Sequence, residues 1–508
     1  MPVHFDNTYA ALPERFFSRV EPEPVAAPQV IRVNDALAEQ LGFDPAWLRS
    51  DLGAAFAVGN TILKGAQPIA TVYGGHQFGN WAGRLGDGRA ILLGEVLDRA
   101  GERFDVQLKG AGRTPYSRGG DGRAPLGPVL REYILSEAMA ALGIASTRAL
   151  MCARTGEWVR RQTMEPGGVL VRVASSHIRI GTFQYFASQN DADAILALAE
   201  YVLERHYPDL AIARNEDGSL AEQALVDLLR AVARRQAELV AKWQCVGFIH
   251  GVMNTDNMLI SGESIDYGPC AFMDEYDPAA LFSSIDHQGR YAFGNQPPIA
   301  QWNVSRLAQA LLGPTEASDA AWTQAQAIVD TFPKYFRQAF SRGMGRKLGL
   351  KTLGEQAEDI TPDDDWPLIE DLLEVMYQTH SDFTLTFVRL TELLADDAPD
   401  ARHKALAELG ELPGGFDGWR IRWRARMAKE AMSNAERLAM MRAENPVFIP
   451  RNHQVEAAIE AAVGRNDFAP FDTLVQVLAT PYDYAPEHID LARPPTMEQR
   501  VKATFCGT

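Results

Sequence analysis

The sequence predicts an α+β protein of two lobes, a strand-rich N-terminal lobe and a larger helical C-terminal lobe, with an extension at each end. Three observations predict it. Residues 68–125 are Gly-rich and carry alternating apolar runs. After residue 190 the apolar spacing turns helical. Residue types suited to phosphate and metal chemistry gather around the change from one texture to the other. The expected divisions are 1–65 as an N-terminal extension, 66–190 as the N-lobe, 191–445 as the helical C-lobe and 446–508 as a C-terminal extension.

The elements follow in order. The first extension holds a Pro-rich piece, EPEPVAAPQ, and a short helix, NDALAEQLG. Ala90 to Leu97 (AILLGEVL) is a buried-type strand, DRAGE is a turn, and Phe104 to Lys109 (FDVQLK) alternates cleanly as the partner strand of a hairpin. Leu126 to Leu142 is helical, with Val129, Leu130, Tyr133, Ile134, Ala138 and Leu142 on its apolar face. A further strand region runs from Trp158 to Val173. Two long helical stretches come next, ADAILALAEYVLERHY and EQALVDLLRAVARRQAELVAKW. Helices are then expected across 316–343, 366–395 and 401–443, with the acidic loop EDITPDDDW between two of them. The basic run WRIRWRARMAKEAM spreads its arginines around a helix axis, which makes it a solvated or ion-paired face rather than a nucleic-acid site.

Composition excludes several classes. The 508 residues carry a net charge of −17, which disfavours a nucleic-acid partner but leaves room for a local basic pocket. Four cysteines, Cys152, Cys245, Cys270 and Cys506, are too few for a disulfide framework and have no metal-ligand spacing. The N-terminus has no apolar signal core, and no stretch approaches the length of a membrane span. A soluble cytoplasmic protein without a membrane partner is expected.

The chemistry concentrates in HGVMNTDNMLISGESIDYG, His250 to Gly268. Protein kinases use H-R-D-x-x-x-x-N followed by D-F-G, where the first Asp accepts the substrate proton and Asn and the second Asp hold metal on the ATP phosphates. His250, Gly251, Asn257 and Asp266-Tyr267-Gly268 fit that order, but Val252 stands where the base belongs and cannot accept a proton. Asp256 supplies another carboxylate beside Asn257. Both Asn257 and Asp266 suit Mg²⁺, which takes few protein oxygens plus phosphate.

Upstream, the Gly-rich run around Gly86-Asp87-Gly88-Arg89 lets backbone N–H groups approach phosphate, and Arg89 is a natural phosphate partner. Lys109 closes the alternating strand. Glu132 and Glu137 on the following helix could each pair with it, and helical geometry does not choose. A second Gly cluster, SRGGDGRAP, repeats Asp-Gly-Arg at Asp121-Gly122-Arg123, so two such loops flank one lysine as two sides of a nucleotide site. Arg172 and Arg179 converge if the chain turns at Ser175-Ser176, which with Lys109 gives three cations for a triphosphate tail. Gly-rich loop, strand ending in Lys, helix with Glu and then the catalytic stretch is the order of a protein-kinase-like fold.

The stretches YGGHQFGNWAGRLGDGRAILLGE, LKGAGRTPYSRGGDGRA, RVASSHIRIGTFQYF, HGVMNTDNM and IDYGPCAFMD closely resemble the selenoprotein O family, over nearly the whole chain. The resemblance implies a kinase-like fold that transfers AMP from ATP to Ser, Thr or Tyr hydroxyls of protein substrates, with ATP flipped relative to ordinary kinases. It implies that Lys109, Arg172 and Arg179 hold the outer phosphates, and that Gly86, Gly88, Arg89, Asp121 and Gly122 line the nucleotide site. Glu132 would pair Lys109, Asn257 and Asp266 would hold Mg²⁺ or Mn²⁺, and Asp256 would be the proton acceptor. Members often carry selenocysteine or Cys near the C-terminus, matched here by Cys506. In some bacterial relatives that Cys pairs with one after the D-Y-G segment, for which Cys270 is the candidate; little redox control is expected here. The competing readings are a kinase with Asp256 as base and a non-catalytic ATP-binding scaffold.

Overall fold

The computed structural model describes residues 3–351, 365–395 and 400–504. Most of the acidic loop, and Cys506, lie outside them. The chain is α+β: a sheet occupies the first third, and helices dominate the rest.

The strands are β1 (Phe17–Arg19), β2 (Gln29–Val33), β3 (Ile69–Thr71), β4 (His76–Gln77), β5 (Asn80–Trp81), β6 (Ala90–Leu97), β7 (Arg103–Lys109), β8 (Ala124–Pro125), β9 (Arg148–Arg160) and β10 (Met164–Ala174). Eight of them form one sheet in the order β1-β3-β6-β7-β10-β9-β2, with β8 alongside β10. The expected hairpin is β6–β7, in which Ala90 stands opposite Lys109. The single strand region expected at Trp158 to Val173 is instead the end of β9 and most of β10, reversed by a tight turn in which Arg161 N–H donates to Thr163 O at 2.9 Å. Residues 1–65 provide both β1 and β2, the two ends of the sheet order. They also carry helices α1 (Asp35–Gln40), α2 (Pro45–Leu48) and α3 (Asp51–Ala57). The side chains of Asn34, Asp44 and Ser50 cap them by accepting from first-turn N–H groups.

Helix α4 (Leu126–Ala141) packs on β9 and β10 with one face and on α15 (Asn452–Arg465) and α16 (Ala469–Leu478) with the other. That double cover explains why its charged Arg131 and Glu132 are buried along with its apolar residues. After β10 come α5 (Ile180–Ser188), α6 (Ala192–His206) and α7 (Glu222–Val246), then α8 (Gln296–Leu312) and α9 (Asp319–Lys347). Helix α7 runs through the middle of this helical core, burying Leu228, Leu229, Val232 and Trp243. It stops at Gly247, whose left-handed conformation turns the chain into β11 (Phe248–Ile249). β11 pairs antiparallel with β12 (Ala271–Phe272), so a two-stranded ribbon brackets residues 250–270.

The long helical stretches expected at 366–395 and 401–443 are broken into α10 (Trp366–Gln378) and α11 (Phe383–Glu392), then α12 (Ala401–Ala407), α13 (Asp417–Met427) and α14 (Asn434–Glu444). His380, with φ +49°, separates the first pair. The basic run lies on α13 as an ion-paired face: Arg426 reaches Asp365 at 2.6 Å, Arg422 pairs with Asp371, and Trp419 and Trp423 are buried beneath. Among the described residues no helix is long and apolar enough to cross a membrane.

Candidate active site

The bracketed stretch is tied down by its own side chains. His250 is fully buried, its Nε2–H donates to Ile265 O at 2.9 Å, and its Nδ1 faces the Val252 N–H at 3.4 Å. That arrangement assigns the tautomer, and burial lowers its pKa, so His250 is a neutral tether between the start of the loop and the residue before Asp266. Asn257 donates from Nδ2 to Val252 O at 3.0 Å, which leaves its carbonyl oxygen as an acceptor. Val252 thus contributes its backbone, and its buried side chain offers nothing to a proton. Asp266 sits at φ +66°, a conformation that costs a non-Gly residue free energy and that Asp tolerates better than most.

Lys109, at the end of β7, donates to Glu132 on α4 and to Asp266 at 3.1 Å. Arg172, from β10, donates through Nε to the other oxygen of Glu132 at 2.8 Å and through Nη1 to Gln107 at 3.2 Å. Glu132 therefore holds two cations that come from neighbouring strands. Glu137 faces elsewhere and pairs with Arg148 at 2.7 Å. Burial alone would raise the Asp266 pKa, yet Lys109, Arg89 and Arg172 hold it well below the usual carboxylate range. Asp266 is consequently an ionised carboxylate beside concentrated positive charge.

A second group forms around Asp256, in the one-turn helix Thr255–Asn257. Arg179 donates to Asp256 O at 2.7 Å, lies 3.6 Å from Asp87 Oδ1 and stacks its guanidinium 4.2 Å from the Tyr73 ring centre. Between Arg172 and Arg179 the chain turns at the expected Ser175-Ser176, where Ser175 N–H and Oγ both donate to Glu263. The Asp256 carboxylate is 6% exposed; Oδ2 accepts from Gln77 Nε2 at 3.2 Å and Oδ1 has no partner. Burial pushes its pKa up to about 6, against the opposing pull of Arg179 and Gln77. Such a carboxylate can take a proton near neutral pH. Gly75 lies against it: a Cβ there would stand 2.5 Å from Asp256 Oδ1. Gly75→Ala should displace the carboxylate and slow turnover by about tenfold to a hundredfold, with the thermal midpoint nearly unchanged, because misplacing a reacting group by about an ångström costs on that scale. Unaltered turnover in steady-state assay would show that Asp256 is not the reacting group.

The two Asp-Gly-Arg loops do different things. In the first, Asp87 accepts from the Thr71 N–H at 3.0 Å and hydroxyl at 2.6 Å, while Thr114 Oγ1 donates to Asp87 O at 2.6 Å and Ser117 Oγ to Gly88 O. Gly86, at φ +74°, packs so closely on Tyr116 that a side chain would overlap the ring. Arg89 follows directly and adds its charge at Asp266. In the second, Asp121 is gripped by Arg161 at 2.8 and 3.1 Å, and Gly122, at φ +67°, lies against the Gly112 backbone. The loops are joined through the 114–117 turn, but the Asp121 carboxylate faces Arg161, not the Lys109 group.

Three contributors escape a reading of local sequence: Gln77, Asp87 and Tyr73. All lie in or near the Gly-rich run, and their partners are far away in the chain. The β4–β5 hairpin in particular fastens onto the 250–270 segment, with His76 N–H donating to Thr255 Oγ1 at 2.7 Å and Phe78 N–H to Asn254 Oδ1 at 3.0 Å. Among the described residues no three His, Cys, Asp or Glu gather into a metal cluster.

Known proteins with this sequence pattern define the class. A protein of Rhodopseudomonas palustris (strain BisB18) named protein nucleotidyltransferase YdiU is 54% identical over 511 residues, covering 100% of both chains. Its namesake from Bradyrhizobium sp. (strain ORS 278) is 55% identical with the same coverage. One from Rhizobium etli (strain CFN 42) is 52% identical over 99% of this chain and 97% of its own. The class is that of protein nucleotidyltransferases. The family model described as protein adenylyltransferase SelO matches residues 1–479, and the chain belongs to that family.

Proposed function

We propose that the chain binds ATP across the two groups just described, within a protein-kinase-like fold, and transfers AMP to a Ser, Thr or Tyr hydroxyl of a protein substrate. Lys109, Arg172 and Arg179 take the outer phosphates. Gly86, Gly88, Arg89, Asp121 and Gly122 line the nucleotide, which is reversed relative to an ordinary kinase so that the α-phosphate faces the acceptor. Asp256 removes the acceptor proton, a bond forms from the hydroxyl oxygen to the α-phosphorus, and the bond to the β-phosphate oxygen breaks, releasing pyrophosphate. The cations around Asp266 favour the charge that builds on the leaving group.

The donors present fit a divalent cation. Asp266 is ionised and Asn257 keeps its carbonyl oxygen free of its own amide's bond to Val252, an oxygen pair of the kind that Mg²⁺ or Mn²⁺ completes with phosphate and water. When bound there, such a cation would supply Lewis-acid neutralisation of phosphate charge.

Family membership supports the choice of AMP over phosphate, and the site supports the choice of base: Val252 is inert, and Asp256 is a buried carboxylate with an unpartnered oxygen and a pKa raised to about 6. The sign follows. Below pH about 6 the carboxylate is mostly protonated and cannot accept a proton, so pyrophosphate release should fall about tenfold per pH unit there and level off above. Asp256→Asn should lower the rate by about 10²–10⁴ and abolish that acid limb. An unchanged limb in the variant would remove Asp256 from the role of base.

A further inference from the structure

The face of the molecule next to Asp256 carries an aromatic row flanked by two arginines. His76 on β4 lies 5.2 Å from the Trp81 ring on β5 and 5.4 Å from the Trp302 ring on α8. The Arg290 guanidinium stacks 4.8 Å from Trp302 and that of Arg306 5.0 Å from it, on the same indole. Trp81 is 42% exposed, and His76, Arg290, Trp302 and Arg306 are half-buried. His76, Arg290 and Trp302 are each rooted on residues 253–255 by themselves or by a chain neighbour. His76 N–H donates to Thr255, Tyr291 OH to Asn254 at 2.6 Å, and Asn303 Nδ2 to Met253 O at 2.9 Å. The row is therefore fixed within a few residues of Asp256.

Its charge is out of keeping with the rest of the chain. The protein is acidic, at −17, and the buried arginines around the nucleotide groups are all tied to carboxylates. Arg290 and Arg306 pair with no carboxylate among the described residues, and the Nε of each has no hydrogen-bond partner. Aromatic rings hold the two guanidiniums in place without neutralising them. Two fixed guanidiniums that form no ion pair among the described residues, with the nearby Asp286 carboxylate taken up by the Arg290 and Tyr291 backbone N–H groups, are suited to an anionic partner.

We infer that this row is the acceptor-docking surface, and that it selects hydroxyls in acidic protein segments, with Asp or Glu side chains near the acceptor meeting Arg290 and Arg306. The inference rests on the protein-AMP transfer proposed above. A polypeptide is favoured over a nucleic acid because the family acts on proteins and the molecule as a whole repels polyanions.

Three peptide sets with a central Ser, Thr or Tyr, flanked by Glu, Ala or Lys, would be incubated with the full chain and α-labelled ATP at low salt. Glu-flanked peptides should be labelled with at least about tenfold higher kcat/KM than Lys-flanked ones, the preference shrinking as salt rises. R290E/R306E should reverse the order while binding a non-hydrolysable ATP analogue as the parent does, which also reports that the variant is folded. Equal labelling of Glu- and Lys-flanked sets by the parent, or an unchanged order in the variant, overturns the docking proposal and leaves AMP transfer standing. Loss of labelling to a single-stranded oligonucleotide competitor, without any charge preference among peptides, would reassign the row to nucleic acid and overturn it as well. Absence of α-label from every peptide and from the enzyme itself overturns the transfer reading, and the docking proposal with it.

Discussion

Replacing Asp266 by Asn should reduce AMP transfer by about a hundredfold to a thousandfold, the scale on which removal of one preorganised electrostatic group slows a reaction. Asn is the informative substitution because it keeps the side-chain shape and tolerates the φ of +66° found there. Only the charge goes. Lys109 keeps Glu132 as a partner, so the fold should survive and ATP should still bind the cations. The loss would therefore fall in kcat rather than KM if, as proposed, Asp266 is the anionic oxygen that would hold a divalent cation for the phosphates. Turnover close to the parent's at saturating metal would show that Asp266 is not a metal ligand.

Glu132→Ala should be the most destabilising single change at the site. Its carboxylate sits between Lys109 and Arg172, and the Glu132 and Arg172 side chains are each only 4% exposed. Removing one member of a buried ion pair leaves the other charge uncompensated, which costs about 3–5 kcal/mol. Burial opposes ionisation of Glu132, but Arg172 and Lys109 bring its pKa below the ordinary value of 4.5. A depressed carboxylate contributes stability that is present above its unfolded pKa and lost as pH falls through the folded one. The parent should thus lose stability on acidification below pH about 4.5, and Glu132→Ala should lose less of its own over that range. Denaturant midpoints measured from pH 3 to 7 in parent and variant check both statements. A variant as stable as its parent at pH 7 would mean that Arg172 finds another partner.

These residues were unevenly legible in the sequence. Lys109 is marked by a strand of strict alternation, and Asn257 and Asp266 by their order after His250-Gly251. Glu132 and Glu137 lie on one helix and look alike locally, but five residues turn a helix by more than a third of a revolution. One carboxylate therefore faces β10 and the other Arg148, a choice that depends on where the sheet lies. The two Asp-Gly-Arg loops look equivalent and are not: Asp87 secures Thr71, whereas Asp121 secures Arg161 across the β9–β10 turn. Gln77 was beyond reach because its partner is 179 residues away and a neutral amide in a Gly-rich run carries no local signal. Helical spacing continues on both sides of the break between α10 and α11, which is made by the left-handed His380 and by Asp382, whose side chain caps α11 by accepting from the Leu385 N–H. The strands that residues 1–65 add at the ends of the sheet depend on pairing with distant chain, which local composition does not record.

AMP transfer sends the α-phosphate, and not the γ-phosphate, to protein. The direct measurement is incubation of the full chain with ATP labelled on the α-phosphate in one sample and on the γ-phosphate in another, followed by recovery of denatured protein. Membership of the protein adenylyltransferase family, with the nucleotide reversed as proposed, predicts that α-label stays on the protein with a mass gain of one AMP, and that γ-label leaves as pyrophosphate. Retention of γ-label on protein, with a mass gain of one phosphate, would rule out AMP transfer and make the chain a kinase that uses Asp256 as its base.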